Sequence, residues 1–309
     1  MIALPVLLLV IVAVPLIIEA QRKPMNATAR TGASGDFAML SQGVTHFEWL
    51  GPIRGPVAVC VHGLTTPSFV WLGLARGLAN LGFRVLIYDL YGRGYSDRAP
   101  GRQDQAFFLQ QLGDLLDDQQ VKGDITLFGY SMGGAIATTY AAERPDRIRQ
   151  LVLLAPAGTG VSANRLIRFI ARTPVIGDWL MLALFARQHR KHCEAERDLP
   201  SSVENITGLQ LNELKVRGFI PAVLASMRGI LSRPLREEHK TIHQAGIPVL
   251  AIWGREDAVI PLTAMGTLAE WSRDARQDVI EGAGHGLTYT HTREVLVSLS
   301  DSLRDGLNQ

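Results

Sequence analysis

Cysteine is almost absent from this 309-residue chain: Cys60 and Cys193 are the only two, too few for a disulfide framework. An excess of charge of one sign is lacking too. The 31 basic and 29 acidic side chains leave a net charge of +2, so neither nucleic acid nor any other polyelectrolyte is indicated as a partner. There is no Walker A sequence and no H-E-x-x-H, which removes P-loop nucleotide chemistry and the common zinc-protease arrangement. Gly92 and Gly94 suggest a dinucleotide loop, but Asp97 stands where its third glycine belongs. No internal repeat, low-complexity tract or signal for oligomeric state is visible. With 47% hydrophobic residues, the chain can bury one large core and carry an insertion.

Segments near 57–61, 83–88, 124–128, 150–154, 247–253 and 276–280 read as strands. They alternate with helical segments near 68–81, 103–119, 132–143, 261–273 and 288–304. That rhythm predicts an α/β fold with a mostly parallel, doubly wound sheet. Phe37–Leu40 and Val44–Trp49 suggest a hairpin opening it. The core is assigned to 37–155 and 246–309, and residues 156–245 break the alternation. Helices are expected there at Arg165–Ala171, Gly177–His189, Ser202–Lys215 and Phe219–Leu231. The run Trp179–Phe185 is apolar on nearly all sides, so it either packs on the main domain or walls an apolar pocket.

Residues 129–134 read Gly-Tyr-Ser-Met-Gly-Gly between a β-branched run and a small-residue helix. A Ser held between glycines at a strand-to-helix turn has the pattern of a nucleophile elbow. The helix start beneath it offers free N–H groups and a positive dipole end. Neutral serine is a poor nucleophile and needs a base, for which imidazole is suited near neutral pH. Candidate bases are His285, in Glu281-Gly-Ala-Gly-His-Gly286, His291 and His62; candidate acids to orient the base are Glu256 and Asp257, after the strand 247–253. Three further features fit: His62-Gly63-Leu64 after a buried strand, the segment Asp89-Leu-Tyr-Gly-Arg-Gly-Tyr-Ser96, and the chain order Ser, acid, His.

From about Gly35 to Leu303 these motifs together resemble the α/β-hydrolase superfamily, in its lid-bearing branch of serine esterases, lipases and C–C bond hydrolases. The resemblance implies Ser131 as nucleophile, Asp257 and His285 as its partners, and the Leu64 and Met132 amides as oxyanion hole. It makes residues 156–245 a helical lid. It gives His62 the task of ordering the oxyanion loop and leaves His291 as an exposed residue of the final helix. Relatives that act on haloalkanes and epoxides use an Asp nucleophile, and Ser131 argues against those activities.

The expected function is hydrolysis of a carboxylic ester with an apolar or lipid-like acyl part, through an acyl-enzyme, with no metal or organic cofactor. C–C bond cleavage of a vinylogous diketone is the alternative, with Arg165, Arg168, Arg172 and Arg217 as candidates for a substrate carboxylate. A non-catalytic binding module on the same fold is the third. Cys60 reads as a small core residue. Cys193, after His189-Arg-Lys-His192, reads as a polar helix end, since the adjacent cations disfavour a metal.

Ile2–Ile18 is uncharged and interrupted only by Pro5 and Pro15. As a helix it would span about 26 Å, against ~30 Å for a hydrocarbon core. It is long for a signal-peptide core and lacks a basic leader, while Arg22, Lys23 and Arg30 follow it. Residues 1–20 therefore read as a membrane anchor with the catalytic domain on the cytoplasmic face. A cleaved signal peptide, giving a secreted or periplasmic protein, is the alternative, and a soluble segment the last. Residues 21–36 read as a polar linker, so the helix is not expected to pack on the domain.

Overall fold

Strands whose two faces are both covered by helices can be apolar at every position, as the segments Val57–Val61 and Val249–Gly254 of this chain are. A computed structural model describes residues 3–160 and 165–307, with side chains for 10–160 and 165–302. Its strands are β1 (Asp36–Leu40), β2 (Gly43–Leu50), β3 (Val57–Val61), β4 (Arg84–Tyr88), β5 (Ile125–Tyr130), β6 (Ile148–Leu154), β7 (Val249–Gly254) and β8 (Arg276–Ile280). They form an 8-stranded sheet in the order β1-β2-β4-β3-β5-β6-β7-β8. The β1–β2 and β2–β4 pairs are antiparallel and the rest parallel, which bears out the opening hairpin and the doubly wound sheet. In β3, Cys60 lies in register between Ile87 and Phe128, a fully buried core position as expected.

The helices are α1 (Ala3–Gln21), α2 (Ala27–Arg30), α3 (Leu72–Asn80), α4 (Gln105–Asp118), α5 (Met132–Glu143), α6 (Arg165–Arg172), α7 (Ile176–Ala195), α8 (Ile206–Glu213), α9 (Phe219–Arg228), α10 (Arg236–Gln244), α11 (Thr263–Trp271), α12 (Leu287–Thr290) and α13 (Thr292–Leu307). Alternation along the strands sends Val59, Val61, Leu86 and Tyr88 to one face, against Phe108 and Leu112 of α4 and Ile136 of α5. Ala58, Cys60, Val85 and Ile87 face the other way, against Leu74 and Leu78 of α3 and Val295 of α13. The expected segment 68–81 is a 3₁₀ turn, Ser68–Trp71, followed by α3. The expected final helix is divided at His291 into α12 and α13.

Helices α6 to α9 form an inserted roof with its own small core of Ile170, Met181, Leu214, Phe219 and Val223, while α10 packs on α5 and α11 and sends Ile242 into the main core. Here boundaries moved. Helix α7 runs to Ala195 rather than His189, and α8 is confined to Ile206–Glu213. Residues 161–164 of the expected lid, Met1 and Ile2 of the expected anchor, and Asn308 and Gln309 of the assigned core lie outside the described residues.

The chain after α1 does not leave the domain as a free linker. Lys23 pairs with Val216: its N–H donates to Lys215 O (3.1 Å) and its carbonyl accepts from Arg217 N (2.9 Å). The Glu19 carboxylate accepts from Gly218 N (2.6 Å), at the positive end of α9, and pairs with Arg22 (2.7 Å). Trp179 of α7 donates its indole N–H to Val12 O (3.1 Å). The expectation that this segment stays off the domain is therefore corrected: one acid and one exposed edge of backbone, neither part of an apolar pattern, hook it to the roof. Val10, Ile11, Val12, Val14, Leu16, Ile17 and Ile18 nevertheless remain exposed. Among the described residues, no helix is long and apolar enough to cross a membrane.

Candidate active site

Ser131 sits in the turn from β5 to α5 with φ +53° and ψ −118°, a conformation that L-residues resist and that the surrounding contacts enforce. Its N–H donates to Leu154 O (3.0 Å), and its carbonyl accepts from Gly134 and Ala157 (2.9 Å each). A Cβ on Gly133 would run into the Val61 and His62 carbonyls, and one on Gly129 would meet Gly133 O at 2.5 Å. Only glycine permits so close a passage.

His285 and Asp257 arrive on the loops after β8 and β7. His285 Nε2 is 3.0 Å from Ser131 Oγ, and its Nδ1 is 2.8 Å from Asp257 Oδ2. An ionised carboxylate only accepts, so Nδ1 carries the proton and Nε2 is free to accept from the serine. Asp257 Oδ1 is held by the N–H groups of Val259 (2.7 Å) and Ile260 (2.8 Å). Asp257 is buried while Glu256 is exposed, so the carboxylate brought to the histidine is Asp257. His291 lies between α12 and α13, with Nδ1 2.9 Å from Thr290 Oγ1, and is half-buried rather than exposed.

His62 is fully buried, and burial brings its imidazole down to about 4. Its Nε2 accepts from Leu90 N (2.9 Å), so Nδ1 bears the proton it donates to Gly63 O (2.8 Å). That bond fixes the peptide whose far side is the Leu64 N–H. A Cβ on Gly63 would lie 3.3 Å from Ser131 Cβ, so this peptide passes directly beside Ser131. Met132 is the first residue of α5, where an N–H has no intrahelical acceptor.

Sequence reasoning gave Tyr130 no role, yet it holds the histidine loop. Its hydroxyl donates to His285 O (3.0 Å) and its ring packs on the imidazole at 5.3 Å. Burial keeps this phenol well above the usual tyrosine range. Asp89 anchors the neighbouring turn. Burial works to raise it, but its bond to His46 (2.8 Å) and the charge of that imidazole bring it down to about 2.

Above Ser131 lies a cleft of about 800 Å³. Ile170, Leu180, Met181, Leu184 and Phe185 wall it, so Trp179–Phe185 both packs on neighbours and lines the cleft. Further along α7, Arg187, Gln188, Lys191 and His192 add a polar, cationic rim. None of Arg165, Arg168, Arg172 and Arg217 lines it; Arg187, which sequence reasoning passed over, does. The helix end near Cys193 is less polar than expected. Cys193 Sγ is buried 3.6 Å from His189 Nε2, and His189 stacks on Phe185 at 5.3 Å. Among the described residues, no group of three or more His, Cys, Asp and Glu is placed to hold a metal ion.

Comparison with known proteins agrees with this architecture. Residues 56–292 match the family described as the alpha/beta hydrolase fold. A 2-hydroxymuconate semialdehyde hydrolase from Pseudomonas putida is 29% identical over 218 residues, covering 67% of this chain and 72% of its own. Lipase 1 of Psychrobacter immobilis is 25% identical over 276 residues, 86% of this chain and 80% of its own. Among solved structures, a bromoperoxidase from Bacillus anthracis superposes with a TM-score of 0.74 at 21% identity, covering 88% of this chain and all of its own (100%), a likeness of fold.

Proposed function

The chain belongs to the alpha/beta hydrolase fold family, and from that premise we propose that it is a serine hydrolase of carboxylic esters with an apolar acyl group. The observation that carries this reading is the continuous hydrogen-bonded line Asp257–His285–Ser131 at the floor of an apolar cleft. Ser131 Oγ attacks the ester carbonyl carbon while its proton passes to His285 Nε2. The oxyanion so formed takes hydrogen bonds from the Leu64 and Met132 amides. Collapse breaks the bond to the alcohol oxygen, which leaves with the proton from His285. A water then gives a proton to the same nitrogen and attacks the acyl carbon; the acyl carbon–Oγ bond breaks, Ser131 Oγ takes the proton back from His285, and the acid is released. Asp257 holds the imidazole in the tautomer these steps need and stabilises its cation.

The test is a p-nitrophenyl ester series from acetate to palmitate, alongside monoacylglycerols, with fluorophosphonate labelling. Hydrolysis and labelling that both vanish in S131A are expected. No labelling of the wild type would point to a binding module. C–C bond cleavage is kept as the second reading because Arg187 lines the cleft, where a substrate carboxylate could reach it. Turnover of a vinylogous diketone acid in preference to every ester would favour it.

We also propose that α1 attaches the protein to a bilayer, with the catalytic domain on the cytoplasmic face. The exposed side chains from Val10 to Ile18 support this, since moving apolar surface out of water is favourable by about 25 cal/mol per Å². The full chain should then resist high-salt extraction from membranes, and protease outside sealed spheroplasts should leave it intact. A mature protein beginning near Gln21 in a soluble extracytoplasmic fraction would replace the anchor with a signal peptide.

A further inference from the structure

We propose that Arg93 is a positioning residue for the hydrolytic step, tying roof helix α9 to the oxyanion loop so that the Leu64 amide stays turned toward Ser131. The proposal rests on the serine-hydrolase reading. Arg93 belongs to the turn after β4 and is completely buried. Its guanidinium has five N–H bonds, and each finds an acceptor. Nε donates to Leu64 O (3.1 Å), Nη1 to Tyr91 O (3.0 Å) and Gln103 Oε1 (2.5 Å), and Nη2 to Ala222 O (3.2 Å) and Ser226 Oγ (2.8 Å). One planar group therefore touches the oxyanion loop, its own turn and the roof.

No carboxylate bonds to it. A buried cation without a direct counter-ion is an expensive way to fill space, and burial indeed pulls this guanidinium below its ordinary value. An apolar side chain would serve if packing were the whole role. What arginine supplies, and lysine or methionine cannot, is five donors in a fixed plane. The place it reaches is specific. Leu64 is flanked by two carbonyls, and both are held: Gly63 O by His62 Nδ1, and Leu64 O by Arg93 Nε. Fixing both peptides leaves the Leu64 N–H no freedom to turn from the cleft.

The other end of the guanidinium explains how the roof enters. Ala222 and Ser226 lie in α9, whose next residue, Met227, lines the cleft. The turn is also held from α8, where Glu213 Oε2 accepts from Gly94 N (3.0 Å) and lies 3.9 Å from the Arg98 guanidinium. Roof seating and oxyanion geometry thus share one side chain. Because oxyanion donors act on the transition state more than on the bound ester, losing this tie should lower kcat and leave KM nearly alone.

The experiment compares R93Q, R93K and S226A with wild type on p-nitrophenyl butyrate. It also measures the affinity of a trifluoromethyl ketone, which adds to serine as a tetrahedral oxyanion. R93Q should lose kcat by about 10–100-fold, less than or equal to the loss of a whole oxyanion donor. Its KM should stay within about threefold, with ketone affinity falling in step with kcat/KM. The acid limb of the pH profile should not move, since Arg93 touches none of Ser131, His285 and Asp257. R93K should recover part of the rate. S226A keeps Arg93 and removes one roof contact, so it should show the same pattern at about two- to fivefold. Unchanged kcat and ketone affinity in folded R93Q would overturn the proposal. Should R93Q fail to fold by circular dichroism and gel filtration, S226A decides: wild-type ketone affinity there overturns it. A wild type that neither cleaves esters nor takes a fluorophosphonate sinks the hydrolase reading, whereas a reactive wild type matched by the variants sinks this inference alone.

Discussion

On the core side of the cleft, Ser131, Asp257 and His285 each follow the end of a parallel strand and are hydrogen-bonded to one another or to backbone. On the roof side, α6 and α7 present mainly the apolar Ile170, Leu180, Met181 and Leu184, with the buried His189 beside them and exposed polar groups farther along α7. The difference separates two tasks. Reaction chemistry needs atoms placed to a fraction of an ångström, which a sheet with both faces packed can supply. Choice of acyl group needs only volume and apolar surface, which an inserted helical layer can vary without disturbing the floor.

If the division holds, floor mutations should stop chemistry and leave specificity, while roof mutations do the reverse. S131A should lower kcat by about 10⁴-fold or more, with an unchanged melting curve. D257N should cost about 10²–10⁴-fold through the wrong imidazole tautomer, and exposed E256Q less than about threefold. Equal losses in the two carboxylate variants, read as kcat on p-nitrophenyl butyrate, would place the orienting acid elsewhere. L184W should fill part of the cleft. A drop of about tenfold in kcat/KM for a decanoyl ester with acetyl ester unaffected is expected, within the range of a few methylene contacts. Loss on both esters alike would break the comparison.

Two smaller effects sharpen the seam between floor and roof. Burial pushes the Glu213 carboxyl up to about 7, although Arg98 and the Gly94 amide oppose this. The folded chain therefore binds more protons than the unfolded one between about pH 4.3 and about pH 7. Its contribution is complete below that window and lost as pH rises through it. Chemical denaturation from about pH 5.5 to about pH 8.5 should show wild type losing about 1–2 kcal/mol relative to E213Q, which cannot ionise. A steeper decline in E213Q would reverse the sign and refute the assignment. Last, E19A removes the acceptor of the Gly218 amide and should cost about 1 kcal/mol of thermal stability with kcat unchanged.

Much of the floor was legible because its chemistry is written in local sequence. The glycines around Ser131, most of the strands and the order Ser131, Asp257, His285 belong to short segments, and the strands before Ser131 and Asp257 were visible as hydrophobic runs. The choice of Asp257 over Glu256 came only from the resemblance to the family, and burial agrees with it. The roof was only half legible. Its helical character was expected, but the extent of α7 and the presence of Arg187 rather than four other arginines at the cleft were not, nor was α10, which packs on α5 and α11.

Sequence alone therefore determined the sheet's strands, the glycine-flanked turn at Ser131 and the chain order Ser131, Asp257, His285, because hydrophobic runs and the steric demand on glycine act within a few residues. Tertiary structure alone decided that Arg93 reaches Leu64 and Ser226, that Tyr130 holds the His285 loop, and that Glu19 docks α1 onto the roof. Those bonds join residues from 29 to 199 positions apart. A polar side chain at such a distance leaves no period in the sequence: its partner is fixed only once separate hydrophobic layers have packed and brought the two backbones together.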